Sequence, residues 1–534
     1  PGEGPNAKGE IAEPRASMPI RGLRDTLPLH WEGTLGDPVP GVNKFSVFDS
    51  APDCDLAVDG EIGCVRHLVD AALSGPMCQH NGPNGCEPGE GQTGPGGSNL
   101  KGKLTDAERD AMAAFQVAVS YPPSPARRPT DALSANANQG FSDFFTDNDG
   151  KGIRGDIGQA VSFAPATCAD NAMGCHALPL TVSTNSSVVG GFDAPSARGM
   201  WDRWINFSNG ITTTEEVLDT MQKCADGITP PDKTININVG GGNVLPVTIK
   251  GDPCNLESPQ LGQFLGFNFA QLPFPSGAEI WDPAVGMTER GSFLSSFETL
   301  FALVYGVRGE RIWDYQTEIS VGLPGLTGRQ VQLDSANAAD AAVGALLAQI
   351  EEAAKLGKVT AVARGARIHE MRFRRDTGRW AYPSGVSMSG AELRQIVAGL
   401  GDVATVTAEL PDNVSIGGPD RQPLLDVDPD LRALEKTSDA PSLPKPQQLA
   451  VATFRLGAQY VDPQAKVLVN GAACAGCSFT STVAPQTGKS VIDVTISPGL
   501  PAGVHALQVL NPNGWASNEM PICVTDGVDV CTYQ

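Results

Sequence analysis

The 534-residue chain is short of charge and of aromatic side chains. Charged residues make up 18% and aromatics 6%, against about 25% charged in an average globular chain. Positive charge is the scarcer sign: 38 Lys and Arg stand against 60 Asp and Glu, a formal net charge of −22. Such a surface repels phosphate backbones and anionic headgroups, which argues against nucleic acid and acidic membranes as partners. Long apolar runs are missing. The best, Leu300 to Val307 with Gly306 inside it, falls short of the ~18 residues of a membrane span. There is no Gly-x-Ser-x-Gly, phosphate loop, dinucleotide fingerprint or His-Glu-x-x-His motif, so the commonest hydrolase, nucleotide and zinc-protease signatures are absent.

Cysteine, glycine and proline are plentiful, at 12, 61 and 42 residues, while histidine numbers 6. An even cysteine count in locally spaced pairs fits an oxidising compartment. The expectation is a secreted bacterial protein: extracellular, cell-surface or periplasmic. The first residue is Pro1 and no charged-then-apolar leader follows, so the chain reads as processed or as a fragment. Local disulfides are expected at Cys54/Cys64, Cys78/Cys86, Cys224/Cys254, Cys474/Cys477 and Cys523/Cys531. Cys474-Ala-Gly-Cys477 sits in a Gly/Ala turn between strands, which favours a staple over a redox or zinc site.

Hydrophobic residues at 41% suffice for several cores, and the length exceeds one domain. Residues 1–20 read as an extended arm and 87–99 as a flexible loop. Val65 to Leu73 suits a short helix. Thr105-Asp-Ala-Glu108 is a capping box opening a helix with Ala111, Phe115 and Ala118 on one face. Phe141 to Phe145 reads as a helical turn, Thr213-Thr-Glu-Glu216 as a second capping box, and Thr234 to Val239 as a period-two strand. A further helix is expected near 292–305. Residues 311–416 read as an α+β module, with helices at 335–356 and after Ser389, whose capping box is closed by Glu392. The second helix would turn Leu393, Ile396, Val397 and Leu400 inward. The module's strands are expected at 359–364, 366–374 and 403–409. Arg372 and Arg374 alternate with Met371 and Phe373, so the arginines should point to solvent. That basic stretch is also a candidate dock for an acidic neighbour, such as another copy of the chain. Residues 417–446 look like a linker. Residues 447–534 carry only short strands with turn signals, as in a small all-β sandwich.

The most informative segment is Cys168-Ala-Asp-Asn-Ala-Met-Gly-Cys175-His176. Two thiols ahead of an adjacent imidazole are the core of a c-type haem attachment site. The usual gap between the cysteines is two residues, and here it is six. The alternative is a Cys168–Cys175 disulfide with His176 at the surface. Asp147-Asn-Asp149-Gly150 matches the start of a calcium loop, without the third ligand or the closing Glu in register. The bland alternative is a solvated Asx/Gly turn.

The order of several segments resembles the di-haem cytochrome c peroxidase-like superfamily over roughly residues 18–224. These are the capped helix running into Tyr121-Pro-Pro-Ser-Pro125, then Gly140 to Phe144, Cys175-His176, Ala194-Pro-Ser-Ala-Arg-Gly199 and Thr213-Thr-Glu-Glu216. The resemblance implies a mainly α, cytochrome c-like region. Residues 105–310 would form the haem-bearing domain, and 21–104 a disulfide-rich remnant of a first half. It makes Cys168 and Cys175 the thioether anchors, His176 the proximal ligand and Met200 the distal candidate. Met18 to Gly33 resembles the wall of that family's other haem, for which this sequence holds no attachment motif. The terminal module resembles IPT/TIG immunoglobulin-like domains through Leu500-Pro-Ala-Gly503 and Asn511-Pro-Asn-Gly514. The implied function is electron transfer through one haem c, with redox proteins or copies of the chain as partners. The alternative is a haem-less, disulfide-stapled subunit of an extracellular filament, surface assembly or adhesin that binds calcium. A peroxidase is the third reading, and it needs a haem domain upstream of this sequence.

Overall fold

The computed structural model describes residues 21–27, 54, 56–74, 105–146, 178–181, 183–186, 192–194, 196–199, 233–238, 244–249, 307–411, 421–434 and 444–527. Near the N-terminus, helix α1 (Leu56–Ser74) is broken at Gly60, where φ is 67°. It packs on helix α2 (Asp106–Ala118) around Leu27, Val65, Val69, Ala113 and Val117, with the Cys54–Cys64 disulfide inside the same core. The expected capping box is present: the Thr105 hydroxyl accepts the Glu108 N–H, and the Glu108 carboxylate accepts the Thr105 N–H at 2.7 Å. The expected buried stripe is corrected. Arg109, Ala113 and Val117 face inward, while Phe115 is 61% exposed. The cause lies on α1, where the buried Asp70 ion-pairs with Arg109 and Arg66 and so sets the rotation of α2.

Helix α3 (Ala135–Phe145) opens on Ser134, whose hydroxyl accepts the Ala137 N–H. Helix α4 (Val307–Glu318) crosses it. A Cβ built on Gly140 would overlap the Arg311 carbonyl, so glycine is what allows the backbones to meet. Tyr315 of α4 then lies edge-on to Phe141 and Phe144, at centroid distances of 5.2 and 5.3 Å. The helix expected near 292–305 and the one opened by Thr213 lie outside the described residues. Hairpins β1–β2 (Ser183–Ser186, Phe192–Ala194) and β3–β4 (Lys233–Asn238, Val244–Ile249) stand between α3 and α4 in sequence.

The middle module is an antiparallel sheet with the order β5-β10-β6-β7-β8-β9. Its strands are β5 (Gln330–Leu333), β6 (Thr360–Gly365), β7 (His369–Arg374), β8 (Arg379–Ala381), β9 (Ser387–Met388) and β10 (Ala404–Glu409). One face packs helices α5 (Ala341–Leu356) and α6 (Gly390–Gly399). Helix α5 starts later than expected because the Asp334 carboxylate accepts the Ala336 and Asn337 N–H groups in a turn, and Asp340 caps the helix. Gly357 ends it with φ 90°. The Ser389/Glu392 box is present, but α6 buries a narrower stripe than expected. Leu393 and Val397 are inside, whereas Ile396 and Leu400 are 37% and 39% exposed. On β7, Met371 and Phe373 are buried and Arg372 and Arg374 exposed, as the alternation requires.

The C-terminal region is a β-sandwich of two antiparallel sheets, ordered β11-β12-β16-β15 and β14-β13-β17-β18. The strands are β11 (Leu424–Asp426), β12 (Ala452–Gln459), β13 (Lys466–Val469), β14 (Ala472–Ala473), β15 (Ser478–Val483), β16 (Ser490–Ile496), β17 (Gly503–Leu510) and β18 (Met520–Val524). Residues expected in a linker supply β11 and helix α7 (Pro429–Leu434). The Asn518 side chain bonds both backbone groups of Leu425, at 2.8 and 2.9 Å, fixing β11 as an edge. The sandwich core is not closed on itself. Leu456, Val494, Leu507 and Ile522 pack in one cluster with Phe141, Phe144, Leu178 and Tyr315.

Candidate functional site

Cys168, Cys175, His176 and Met200 lie outside the described residues, as do Asp147, Asp149, Cys78, Cys86, Cys224, Cys254 and Cys531. The described segments nearest to His176 and Met200 in the chain are 178–181 and 196–199. Two residues after His176, the segment Leu178–Thr181 is buried around a cis Leu178–Pro179 bond. One residue before Met200, the segment Ser196–Gly199 is also buried. The two segments are joined: the Ser196 hydroxyl donates to the Leu180 carbonyl at 2.7 Å and accepts the Arg198 N–H at 3.1 Å. Thr181 Oγ1 also donates to that carbonyl, at 2.6 Å. The chains leading to both candidate iron ligands therefore start from one anchored point.

Arg198 fastens that point to the rest of the molecule. Its side chain is fully buried, Nε donates to the Ser320 carbonyl at 3.2 Å, and the guanidinium donates to the Gln422 side chain. Gly199 follows with φ 71° against the ring of Tyr121. Gly22, from the Arg21-Gly22 turn, meets the same ring with φ 72°. A Cβ on either glycine would overlap Tyr121. Two Arg-Gly turns, far apart in sequence, thus bracket one tyrosine in the same left-handed conformation that glycine alone adopts freely.

Beside this anchor lies a buried ionic junction. Arg127 donates to Glu519 and to the Glu318 carbonyl, both at 2.6 Å. Asp131 accepts Lys358 Nζ at 2.7 Å and the Gly325 N–H at 2.6 Å. Lys358 also reaches the Gly471 carbonyl at 2.9 Å. Glu519 accepts the Ser320 N–H at 3.0 Å, and Glu318 accepts the Ser134 N–H at 2.7 Å, at the start of α3. Burial pushes Asp131 up, but Lys358 and Arg127 outweigh it and hold the carboxyl below its usual range. Burial likewise pulls Arg127 down, and Glu519 and Asp131 reverse it. Burial, reinforced by Glu519, pushes Tyr315 well above the usual phenol value. A cleft of about 320 Å³ opens beside the junction, lined by Arg128, Asn138, Asn470, Gln508, Asp131 and Glu519 among others.

The junction clamps distant segments together. Its charges are spent on each other and on backbone groups, which is how buried ion pairs are tolerated. Sequence reasoning did not find it. Arg127 and Glu519 are 392 residues apart, and no local pattern marks charges that meet only through the fold. Of the cysteine expectations, Cys54–Cys64 and Cys474–Cys477 are disulfides, and Cys523 is disulfide-bonded. Among the described residues no group of three or more His, Cys, Asp or Glu is placed to hold a metal, and no helix is long and apolar enough to cross a membrane. Comparison with protein-family models, curated proteins and solved structures finds no match.

Proposed function

We propose that the chain is a secreted c-type cytochrome-like protein that carries one covalently attached haem for electron transfer. The supporting observation is the common anchoring of Leu178–Thr181 and Ser196–Gly199 through Ser196 and the Leu180 carbonyl. These are the two segments from which His176 and Met200 extend. The donor set fits the group: two thiols for the porphyrin vinyls, an imidazole next to the second thiol, and a thioether 24 residues on. A haem so ligated supplies a one-electron couple whose potential a thioether ligand raises. Cys168 and Cys175 would anchor it, and His176 and Met200 would ligate its iron. Arg198 and Ser196 hold the protein wall in place.

The test is an absorption spectrum together with the mass of the intact chain. A Soret band and a mass raised by one haem support the reading. A colourless chain in which Cys168 and Cys175 form a disulfide overturns it. The second reading, a haem-less stapled subunit of an extracellular assembly, is favoured by the Cys54–Cys64 and Cys474–Cys477 disulfides. In that reading Cys168–Cys175 is one more staple. The peroxidase reading draws on the paired Arg-Gly turns around Tyr121, and it requires a second haem. Cys175-His176 is the only Cys-His dipeptide in the sequence. The sandwich, which resembles IPT/TIG domains, takes a docking or spacing role in all three readings.

A further inference from the structure

An edge strand exposes a row of unpaired N–H and C=O groups, and folded proteins blunt such edges with charge, proline, bulges or a covering segment. The described sheets follow this rule at most edges. Strand β18 is covered by the chain at 444–448, which bonds Cys523 and Thr525 at 2.8–2.9 Å. On β5 the Asn337 side chain donates to the Gln332 carbonyl at 2.9 Å. Strands β9, β11 and β14 are only two or three residues long.

Strand β15 departs from the rule. It runs Ser478-Phe-Thr-Ser-Thr-Val483, without a charge or a proline. It pairs with β16 in register over all six residues, with no bulge. Among the described residues no other backbone group bonds to it. Four of its residues are exposed in sequence, and Val483 is 63% exposed. The electrostatics around it are equally unusual. No Asp or Glu occurs between Asp462 and Asp493, in a chain with 60 of them. Asp493, opposite Thr480 on β16, is neutralised by Arg455 at 2.9 Å. The other carboxylate near this edge, Asp430, accepts the Gln486 and Thr487 N–H groups at the turn past the strand's end, so little like-charge repulsion faces a second copy along β15 itself.

We propose that β15 pairs antiparallel with β15 of a second copy of the chain, joining two four-stranded sheets into one. The side chains select the register. Phe479 and Ser481 lie opposite the core residues Val494 and Ile492 on β16, so Phe479, Ser481 and Val483 share the inner face. A two-fold axis perpendicular to the sheet keeps the inner faces on the same side. Centring it on Ser481 sets Phe479 of each copy against Val483 of the other, and Thr480 against Thr482. Aromatic with β-branched, and threonine with threonine, are favourable cross-strand pairs. The half-buried Phe479 and the exposed Val483 are then covered together.

Sedimentation velocity of the whole chain over a concentration series tests this. The wild type is expected to form a dimer. Ser481→Lys and Ser481→Glu each place like charges opposite one another on the axis and should weaken the dimer by roughly tenfold or more. An equimolar mixture of the two variants should restore it, because Lys then faces Glu. Ser481 is exposed, so at concentrations low enough for the wild type to be monomeric both variants should keep its thermal midpoint. A wild type that stays monomeric up to its solubility limit overturns the proposal and leaves the edge to an extended segment of another protein. A dimer indifferent to both substitutions, or variants whose mixture stays monomeric, also overturns it.

Discussion

The middle module and the C-terminal sandwich are both antiparallel sheets, yet they meet the rest of the chain in opposite ways. The module closes its core from within: Leu347, Ile350, Leu393 and Val397 of two helices cover Ala361, Met371, Val406 and Trp380 of one sheet. The other sheet face is left to exposed arginines such as Arg364, Arg372 and Arg374, which pair with Glu370, Glu409 and Asp376. Both reach the ionic junction, the module through Lys358 and the sandwich through Glu519, but only the sandwich lends its interior to α3 and α4. A sheet with its own helices can be an accessory. A sheet whose core contains Phe141 and Tyr315 is part of the body that carries the candidate haem segment. The terminal sandwich is therefore integral to that body and not a detachable cap.

Breaking the junction is expected to have the largest effect on this contrast. Asp131→Asn leaves Lys358 and Arg127 short of a buried partner, which costs about 3–5 kcal/mol at neutral pH. The sign with pH follows from the depressed Asp131 carboxyl. Its contribution is complete above the unfolded value of about 3.9 and is lost as pH falls through the lower folded value. The stability gap between wild type and Asp131→Asn should thus shrink as denaturation is repeated at increasingly acid pH. Phe141→Ala empties the shared core and should cost about 3–5 kcal/mol. Hydrogen exchange should then show lost protection in α3, α4 and β17 together. Leu393→Ala should cost about 3 kcal/mol, with the loss confined to the module and protection in β16 and β17 unchanged. Arg372→Ser, on the solvated face, should move stability by no more than about 0.5 kcal/mol.

Local chemistry was readable from the sequence. The Thr105/Glu108 and Ser389/Glu392 boxes, the Gly357 stop and the Met371–Phe373 alternation all depend on residues within a turn or two of each other. The two expected cysteine pairs that lie wholly among the described residues are formed as spacing suggested. What depended on distant partners was not readable. The rotation of α2 is set by Asp70 on another helix, so Phe115 is exposed and Arg109 is buried. Helix α4 is mostly polar, and its Ile312 and Tyr315, with Ile319 just past its end, gain meaning only against Gly140 and Phe141. β11 is hidden in a Pro/Asp-rich stretch because its partners, strand β12 and the Asn518 side chain, lie elsewhere in the chain. At the candidate site, the Arg-Gly turn at Arg198 was legible as a motif. Its role as a buried tie to Ser320 and Gln422 was not.

The central claim is that the anchored segments at 178–181 and 196–199 flank a covalent haem. The most direct test is the mass of the intact chain, purified from its native host, with thiols blocked before analysis. The account predicts the polypeptide mass plus one haem, with Cys168 and Cys175 unavailable to alkylation before and after reduction. A mass matching the bare polypeptide, with Cys168 and Cys175 linked to each other and alkylated once reduced, would contradict it.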